Sequence, residues 1–317
     1  MRFGVASGVL WGLDTVVLGM ALSMAPYFGT AEALAFAAVV SSLFHDAACA
    51  VWMMLYMLVR GQLKLTLKAL KTRSAAVVAI GALLGGPIGM TGYLLAISNI
   101  GPAYTAIISA FYPAFGAILS FILLKERMKP SQILFLCLAL IGIMVMGWSQ
   151  AGADSSGNPV LGLAGACITV VGWGSEAVLC AWGMRAEDAM NNETALQIRE
   201  TVSSIAYALV VIPLFGGWGF AARAFATPAT ALVAAAGLAG VSSYLFYYKG
   251  ISVIGPAKAM ALNISYSAWA VIFGVILLGN SLDPLPLVCC AAILVGTIGA
   301  ACDLRELAPI FRHKEAQ

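Results

Sequence analysis

The sequence predicts an all-α membrane protein: ten transmembrane helices in two inverted five-helix repeats. Three observations lead there. The 317-residue chain is 62% hydrophobic and 10% charged, with a mean hydropathy of +0.95, so it lacks the charged surface of a water-soluble domain. Its apolar residues gather in blocks of about 20, the length at which a helix crosses the hydrocarbon core. Its two halves share short motifs at a constant offset.

In lipid, every backbone N–H and C=O must be satisfied internally, which leaves helices or closed barrels. The blocks do not alternate in period two, so helices are expected. Spans are read at 4–25, 34–59, 76–98, 102–124, 131–148, 160–183, 194–215, 229–250, 256–278 and 284–302. The first ends at Ser23-Met24-Ala25-Pro26, without a small-residue cleavage pattern, so it is expected to stay as a span. Arg60, Lys64, Lys68, Lys71 and Arg73 follow the second span, and Lys125, Arg127 and Lys129 follow the fourth. Arg2, Arg185, Lys249, Lys258, Arg305, Arg312 and Lys314 fall on the same side, with only Arg223 opposite. The positive-inside bias therefore puts both termini and the even-numbered loops in the cytoplasm, as in a bacterial inner-membrane protein. Topology accounts for these basic clusters, and no nucleic-acid partner is expected. The seven cysteines (Cys49, Cys137, Cys167, Cys180, Cys289, Cys290, Cys302) lie in or at the ends of spans without a CxxC pair. They are expected to be buried, inert thiols.

The polar stretch from Gln150 to Pro159 divides the chain into a first repeat, 1–150, and a second, 151–317 with a short cytoplasmic tail, within one membrane domain. Ile100-Gly101-Pro102-Ala103 recurs as Ile254-Gly255-Pro256-Ala257. Tyr112 and Tyr266 each lie ten residues after the proline, and Leu123-Leu124 matches Leu277-Leu278, all at an offset of 154. Trp11-Gly12-Leu13-Asp14 likewise resembles Trp173-Gly174-Ser175-Glu176. Five spans per half is odd, so the second copy enters the membrane from the other side. Inverted repeats are a hallmark of alternating-access transporters, which hold their cargo near the midplane between the repeats.

Ionisable groups inside spans are costly and point to function. Asp14, His45, Asp46, Glu176 and Arg199 are the candidates here, and Glu176, three residues after Trp173 on one helix face, is expected to supply the charge that compensates a cationic cargo. Glu176 and Arg199 fall at similar depths by helix rise and can pair. Each also has an ordinary reading. Arg199 can snorkel or pair structurally, His45 can be a neutral core histidine, Asp14 can bond to broken backbone, Asp46 can pair with the helix neighbours of His45, and Glu176 can simply hold Arg199; in a functional reading Asp14, His45 and Asp46 can carry protons. Trp11, Trp173, Tyr112, Tyr266 and Trp269 stand at repeat-related positions, with Tyr266 and Trp269 on one helix face by their spacing. Rings at mid-span beside carboxylates can enclose an organic cation by cation–π contact, or can simply pack. The Gly-Gly-Pro at Gly85, Gly86 and Pro87 frees backbone groups inside a span, which is tolerated facing protein or a cavity. No phosphate loop, zinc spacing or catalytic triad appears, so no cofactor, metal or enzymatic activity is expected.

The whole plan resembles the drug/metabolite transporter superfamily (EamA-type), and within it the bacterial choline permeases of the LicB type. The resemblance rests on Gly8-Val9-Leu10-Trp11-Gly12, His45-Asp46, the run Gly81 to Met90, Ser109-Ala110-Phe111-Tyr112-Pro113-Ala114, Trp173-Gly174-Ser175-Glu176, Ile198-Arg199, and Pro256-Ala257-Lys258-Ala259 with Asn263-Ile264-Ser265-Tyr266. It implies an importer of choline or a related amine with an aromatic- and carboxylate-lined pocket. The chain departs from the pattern at Asp14 and at Thr91-Gly92-Tyr93, where Tyr93 adds a further ring for the pocket. Export of amino acids or other small metabolites by the same fold stays open, as does monomer against homodimer. Reporter fusions after residues 68, 128 and 317 are expected to read cytoplasmic, and a fusion between 150 and 159 external; an external signal from the fusion after 317 would break the ten-span reading and the inverted repeat with it.

Overall fold

The computed structural model describes residues 1–149, 158–281 and 283–302, and among them it contains helices and no strands. Among the described residues, ten helices are long and apolar enough to cross a membrane. They are α1 (Arg2–Leu22), α2 (Ala31–Val59), α3 (Arg73–Pro102), α4 (Tyr104–Leu124), α5 (Pro130–Ser149), α6 (Pro159–Gly183), α7 (Asn192–Phe215), α8 (Pro228–Ile254), α9 (Pro256–Leu278) and α10 (Pro284–Ala301). Most of the polar join after Gln150, and the tail with Arg305, Arg312 and Lys314, lie outside the described residues.

The helix starts follow from local chemistry. Thr30, Thr72, Asn158, Asn191 and Thr227 each cap a helix with a side-chain oxygen that accepts from a first-turn N–H. Several spans open on proline, whose missing N–H has no partner to find there. Helix α3 begins three residues before the apolar block, because its polar first turn is satisfied from outside. The Ser74 N–H donates to Asp188 Oδ2 at 3.1 Å and its hydroxyl donates to Asp188 Oδ1. These donors hold the Asp188 carboxyl below the usual carboxylate range. That contribution is present at neutral pH and fades as the pH falls through the lowered value.

Several spans are broken. In α3 the turn Leu84–Ile88 widens to a π-helix around Pro87, which has no N–H to give the ladder. A second π turn, Tyr207–Val211, interrupts α7. Gly101 (φ 80, ψ 162) and Gly255 (φ 87, ψ 156) hold almost the same backbone conformation, in a region essentially reserved for glycine. The shared Ile-Gly-Pro-Ala motif is thus a shared sharp corner.

Many helix pairings follow one rule. Helix α3 packs on α6 as α8 packs on α1; α4 meets α6 as α9 meets α1; α2 meets α8 as α7 meets α3. Contacts between α2 and α7, between α5 and α10 and between α4 and α9 map onto themselves. Exchanging the first five helices for the last five leaves these pairings unchanged, while the contacts of α8 with α6 and α7 have no counterpart of the same extent in the first half. Glycines let the helices approach. At the α3–α6 crossing, a Cβ on Gly92 or Gly165 would fall 2.6–2.7 Å from the other's carbonyl oxygen. Gly12 seats Trp269 and Gly174 seats Phe115, two contacts at related positions.

Large apolar side chains such as Leu34, Leu134, Leu209 and Leu214 point outward, as lipid-facing residues do. Five cysteines are buried as expected, but Cys137 and Cys167 are exposed: their positions fall on the outer faces of α5 and α6, where apolar surface meets lipid rather than protein. Arg185 bonds Glu126 at 2.6 Å, and Arg223, the isolated basic residue of its side, bonds Glu32 at 2.6 Å.

Replacing Gly101 or Gly255 with alanine is expected to cost about 1–3 kcal/mol through backbone strain alone. Gly255→Ala should cost more, because its Cβ would also lie 2.5 Å from the Glu126 carboxylate, whereas nothing lies within 4 Å at Gly101. Thermal unfolding in detergent measures both; equal losses would mean that Glu126 moves aside freely.

Candidate functional site

The broken helices and glycine crossings enclose a cavity of about 130 Å³, close to the ~150 Å³ that accommodates a benzene-sized guest. Helices α1–α4 and α6–α9 line it; α5 and α10 do not reach it. Trp11, Asp14 and Leu18 come from α1; Ser42, His45 and Asp46 from α2; Gly85, Gly86 and Met90 from α3; and Tyr112 from α4. The other half supplies Trp173, Glu176 and Ala177 from α6, Arg199 and Tyr207 from α7, Tyr244 and Tyr247 from α8, and Asn263 and Tyr266 from α9.

Its polar side is an ion-pair network. Arg199 is 4% exposed, so it does not snorkel; its guanidinium turns inward because acids await it there. Nε donates to Glu176 at 2.8 Å, Nη1 donates to Glu200 at 2.9 Å, and Nη2 donates to the Tyr244 hydroxyl at 3.1 Å. The Arg199 Cζ lies 4.6 Å from the Tyr244 ring centre, a cation–π contact. Asp46 stands 3.7 Å from Nη1 and accepts from the Ser203 hydroxyl at 2.5 Å. His45 Nε2 lies 2.8 Å from Asp14 Oδ1, and its Nδ1 lies 3.5 Å from Asp46. The cluster sets four carboxylates (Asp14, Asp46, Glu176, Glu200) against one arginine and one histidine. It is short of positive charge at a depth where unpaired charge is costly.

The apolar side is aromatic. Trp11 stands edge-on to Tyr244 at 4.8 Å, and Trp173 stands edge-on to Tyr112 at 5.8 Å. The Tyr112 hydroxyl donates to Asn263 Oδ1 at 3.0 Å, and the Asn263 amide donates to Ser7 at 2.7 Å, which fixes the ring across the two halves. Trp11, Tyr112, Trp173 and Tyr266 all reach the cavity, as their repeat positions suggest. Trp269 does not: its Cβ and backbone lie against Gly12, and its Nε1 is buried and unpaired. One helical face therefore splits, Tyr266 to the cavity and Trp269 to the α1 contact. Tyr93 also stands outside the lining, behind Trp173 at 5.4 Å between ring centres.

Sequence reasoning missed Tyr207, Tyr244, Tyr247, Asn263 and Glu200. Glu200 was detectable as a second ionisable residue next to Arg199, deep in an apolar span. The tyrosines Tyr244 and Tyr247 carry a helical i,i+3 spacing, but nothing local says that this face of α8 meets the cavity.

Comparison with known proteins follows the same lines. The EamA-like transporter family matches residues 2–148. Protein LicB of Haemophilus influenzae (strain ATCC 51907 / DSM 11121 / KW20 / Rd) is 30% identical over 224 residues, 69% of this chain and 73% of its own length. A solved crystal structure superposes on 94% of this chain and 96% of its own with a TM-score of 0.69, at 18% identity, a likeness of fold.

Truncating Arg199 to Gln leaves buried carboxylates without their cation and is expected to cost about 3–5 kcal/mol. Arg223→Gln, at an exposed pair, is expected to cost about 1 kcal/mol or less. Unfolding midpoints of the two variants compare them directly; equal shifts would mean that the buried network adds nothing beyond a surface pair.

Proposed function

Because this chain belongs to the EamA-like transporter family, we propose that it carries a small organic cation, choline or a related quaternary amine, across the bacterial inner membrane in the direction of uptake. The observation that carries this reading is the cavity's composition: ring faces opposite a carboxylate-rich network. A quaternary ammonium has no N–H to donate. Charge alone attracts it, and ring faces replace its lost hydration. Trp11, Tyr112, Trp173 and Tyr266 are assigned that role, with Tyr244 as a further ring. The size of the cavity suits a head group of a few heavy atoms.

The transport cycle is read as alternating access. The exchange symmetry of the helix contacts supports two related halves that rock about a shared site. Two charge pairs supply candidate ties, Arg185–Glu126 at the end read as cytoplasmic and Arg223–Glu32 at the other. Both termini are read as cytoplasmic from the charge bias.

Counterflow of radiolabelled choline into proteoliposomes preloaded with unlabelled choline is the deciding measurement. Desolvated cation–π contacts are worth about 2 kcal/mol each. Tyr266→Leu is therefore expected to weaken choline binding roughly 30-fold, at about 1.4 kcal/mol per tenfold, without loss of fold. Counterflow of amino acids, and none of choline or other quaternary amines, would overturn the cargo in favour of the metabolite-exporter alternative.

A further inference from the structure

The buried ionisable groups form two sets with one design. In the second half, Glu176 of α6 meets Arg199 of α7, and Glu200 follows. In the first half, Asp14 of α1 meets His45 of α2, and Asp46 follows. Asp14 stands three residues after Trp11, as Glu176 stands three after Trp173. Acid and base lie 2.8 Å apart in both sets. The base then approaches the acid that follows it, at 2.9 Å for Arg199 and Glu200 and at 3.5 Å for His45 and Asp46. A glycine from the third helix of the opposite half closes over each pair. A Cβ on Gly85 would run into the Glu176 carboxylate, and one on Gly240 would lie 2.9 Å from His45 Nε2 and 3.2 Å from Asp14 Oδ1.

The two sets differ in the base. The arginine fork reaches both of its acids and the Tyr244 hydroxyl, and it lies against that ring. Its seat is filled by the protein's own cation. Histidine is shorter and has two ring nitrogens where arginine has five N–H donors. Its Nε2 bonds Asp14 at 2.8 Å, and its Nδ1 lies 3.7 Å from Cys49 Sγ and 3.5 Å from Asp46. The first-half seat therefore offers Asp14 and one oxygen of Asp46 against one imidazole, since the other Asp46 oxygen takes the Ser203 hydroxyl and lies 3.7 Å from Arg199; Asp14, Asp46 and Trp11 all line the cavity.

Resting on the reading that the cargo is a small organic cation, we propose that its cationic head sits in the first-half seat, on Asp14 and Asp46 beside Trp11. This is the place that a guanidinium fills in the second half. Glu176 is then the counter-ion of Arg199 and not of the cargo. In this chain Asp14 sets the preference for charge, and the rings set the preference for shape.

The test compares choline with its uncharged isostere, 3,3-dimethylbutan-1-ol, by direct binding to purified protein in nanodiscs. The ratio of their affinities reads the counter-ion separately from the fit. Wild-type protein that binds neither choline nor other quaternary amines would sink the cargo assignment itself, before any variant is compared. Given binding, Asp14→Asn is expected to lower the choline-to-isostere ratio at least tenfold. The double variant Glu176→Gln, Arg199→Gln is expected to keep that ratio within threefold of wild type, whatever its absolute affinities. The reverse pattern, with the ratio lost in the double variant and kept in Asp14→Asn, overturns the proposal. Should Asp14→Asn not fold, His45→Arg decides. A second guanidinium would occupy the open seat and satisfy both aspartates, so a folded protein with choline binding reduced more than tenfold is expected. His45→Arg protein that binds choline like wild type overturns the assignment.

Discussion

A guanidinium buried at hydrocarbon depth must bring its counter-charges with it, and this bundle is arranged to supply them to Arg199. Placing an unpaired arginine there costs at least about 2.5–3.5 kcal/mol. The groups that meet it come from four helices: Glu176 on α6, Glu200 on α7 itself, Tyr244 on α8 and Asp46 on α2. Two of those helices, α2 and α8, also hold the His45 region, since Gly237 and Gly240 of α8 lie against His45. The network is therefore the point at which the two halves are registered against each other. A shift of one helix would strand a charge, and this makes the arrangement unique rather than merely compact.

Such a network needs backbones close together, and the glycines provide that. Gly85 has no side chain because the Glu176 carboxylate fills the space; Gly86 is likewise filled by the Ser203 hydroxyl, and Gly240 by the imidazole of His45. The cost is a weakened α3, where Gly85, Gly86 and Pro87 fall together and the helix relaxes into a π turn. Backbone irregularity at this depth is tolerable where protein or a cavity, rather than lipid, surrounds it. The corners at Gly101 and Gly255 and the break between Asn263 and Tyr266 add further places where spans bend around the cavity.

The aromatic wall is held by polar bonds as well as by contact. A chain of hydrogen bonds runs from Tyr112 through Asn263 to Ser7, which meets Ser243 at 3.3 Å, and so joins α4, α9, α1 and α8. With the rings oriented opposite a fixed set of carboxylates, little side-chain freedom is left to lose on binding. The ionic network, the glycine contacts and the ring wall thus share the same helices. A transporter can move such helices only as groups that keep their pairs intact.

The ten spans, their order and the shared corner motif were legible in the amino-acid sequence, because each depends on local or near-local quantities. A run of about 20 apolar residues spans a bilayer whatever surrounds it, and Ile-Gly-Pro-Ala makes the same corner twice because only glycine adopts that backbone conformation. The Glu176–Arg199 pair was legible too, since two opposite charges at one depth have few alternatives in lipid. Rotation of each helix about its own axis was not legible, because many faces of a membrane helix are equally apolar. Tertiary packing alone decided that Trp269 lies against Gly12 while Tyr266 reaches the cavity, and that Tyr244 and Tyr247 join it. It also decided that Cys137 and Cys167 turn outward. The same holds for Asp14 and His45: their types suggested chemistry, but only the close approach of α1, α2 and α8 makes them a pair.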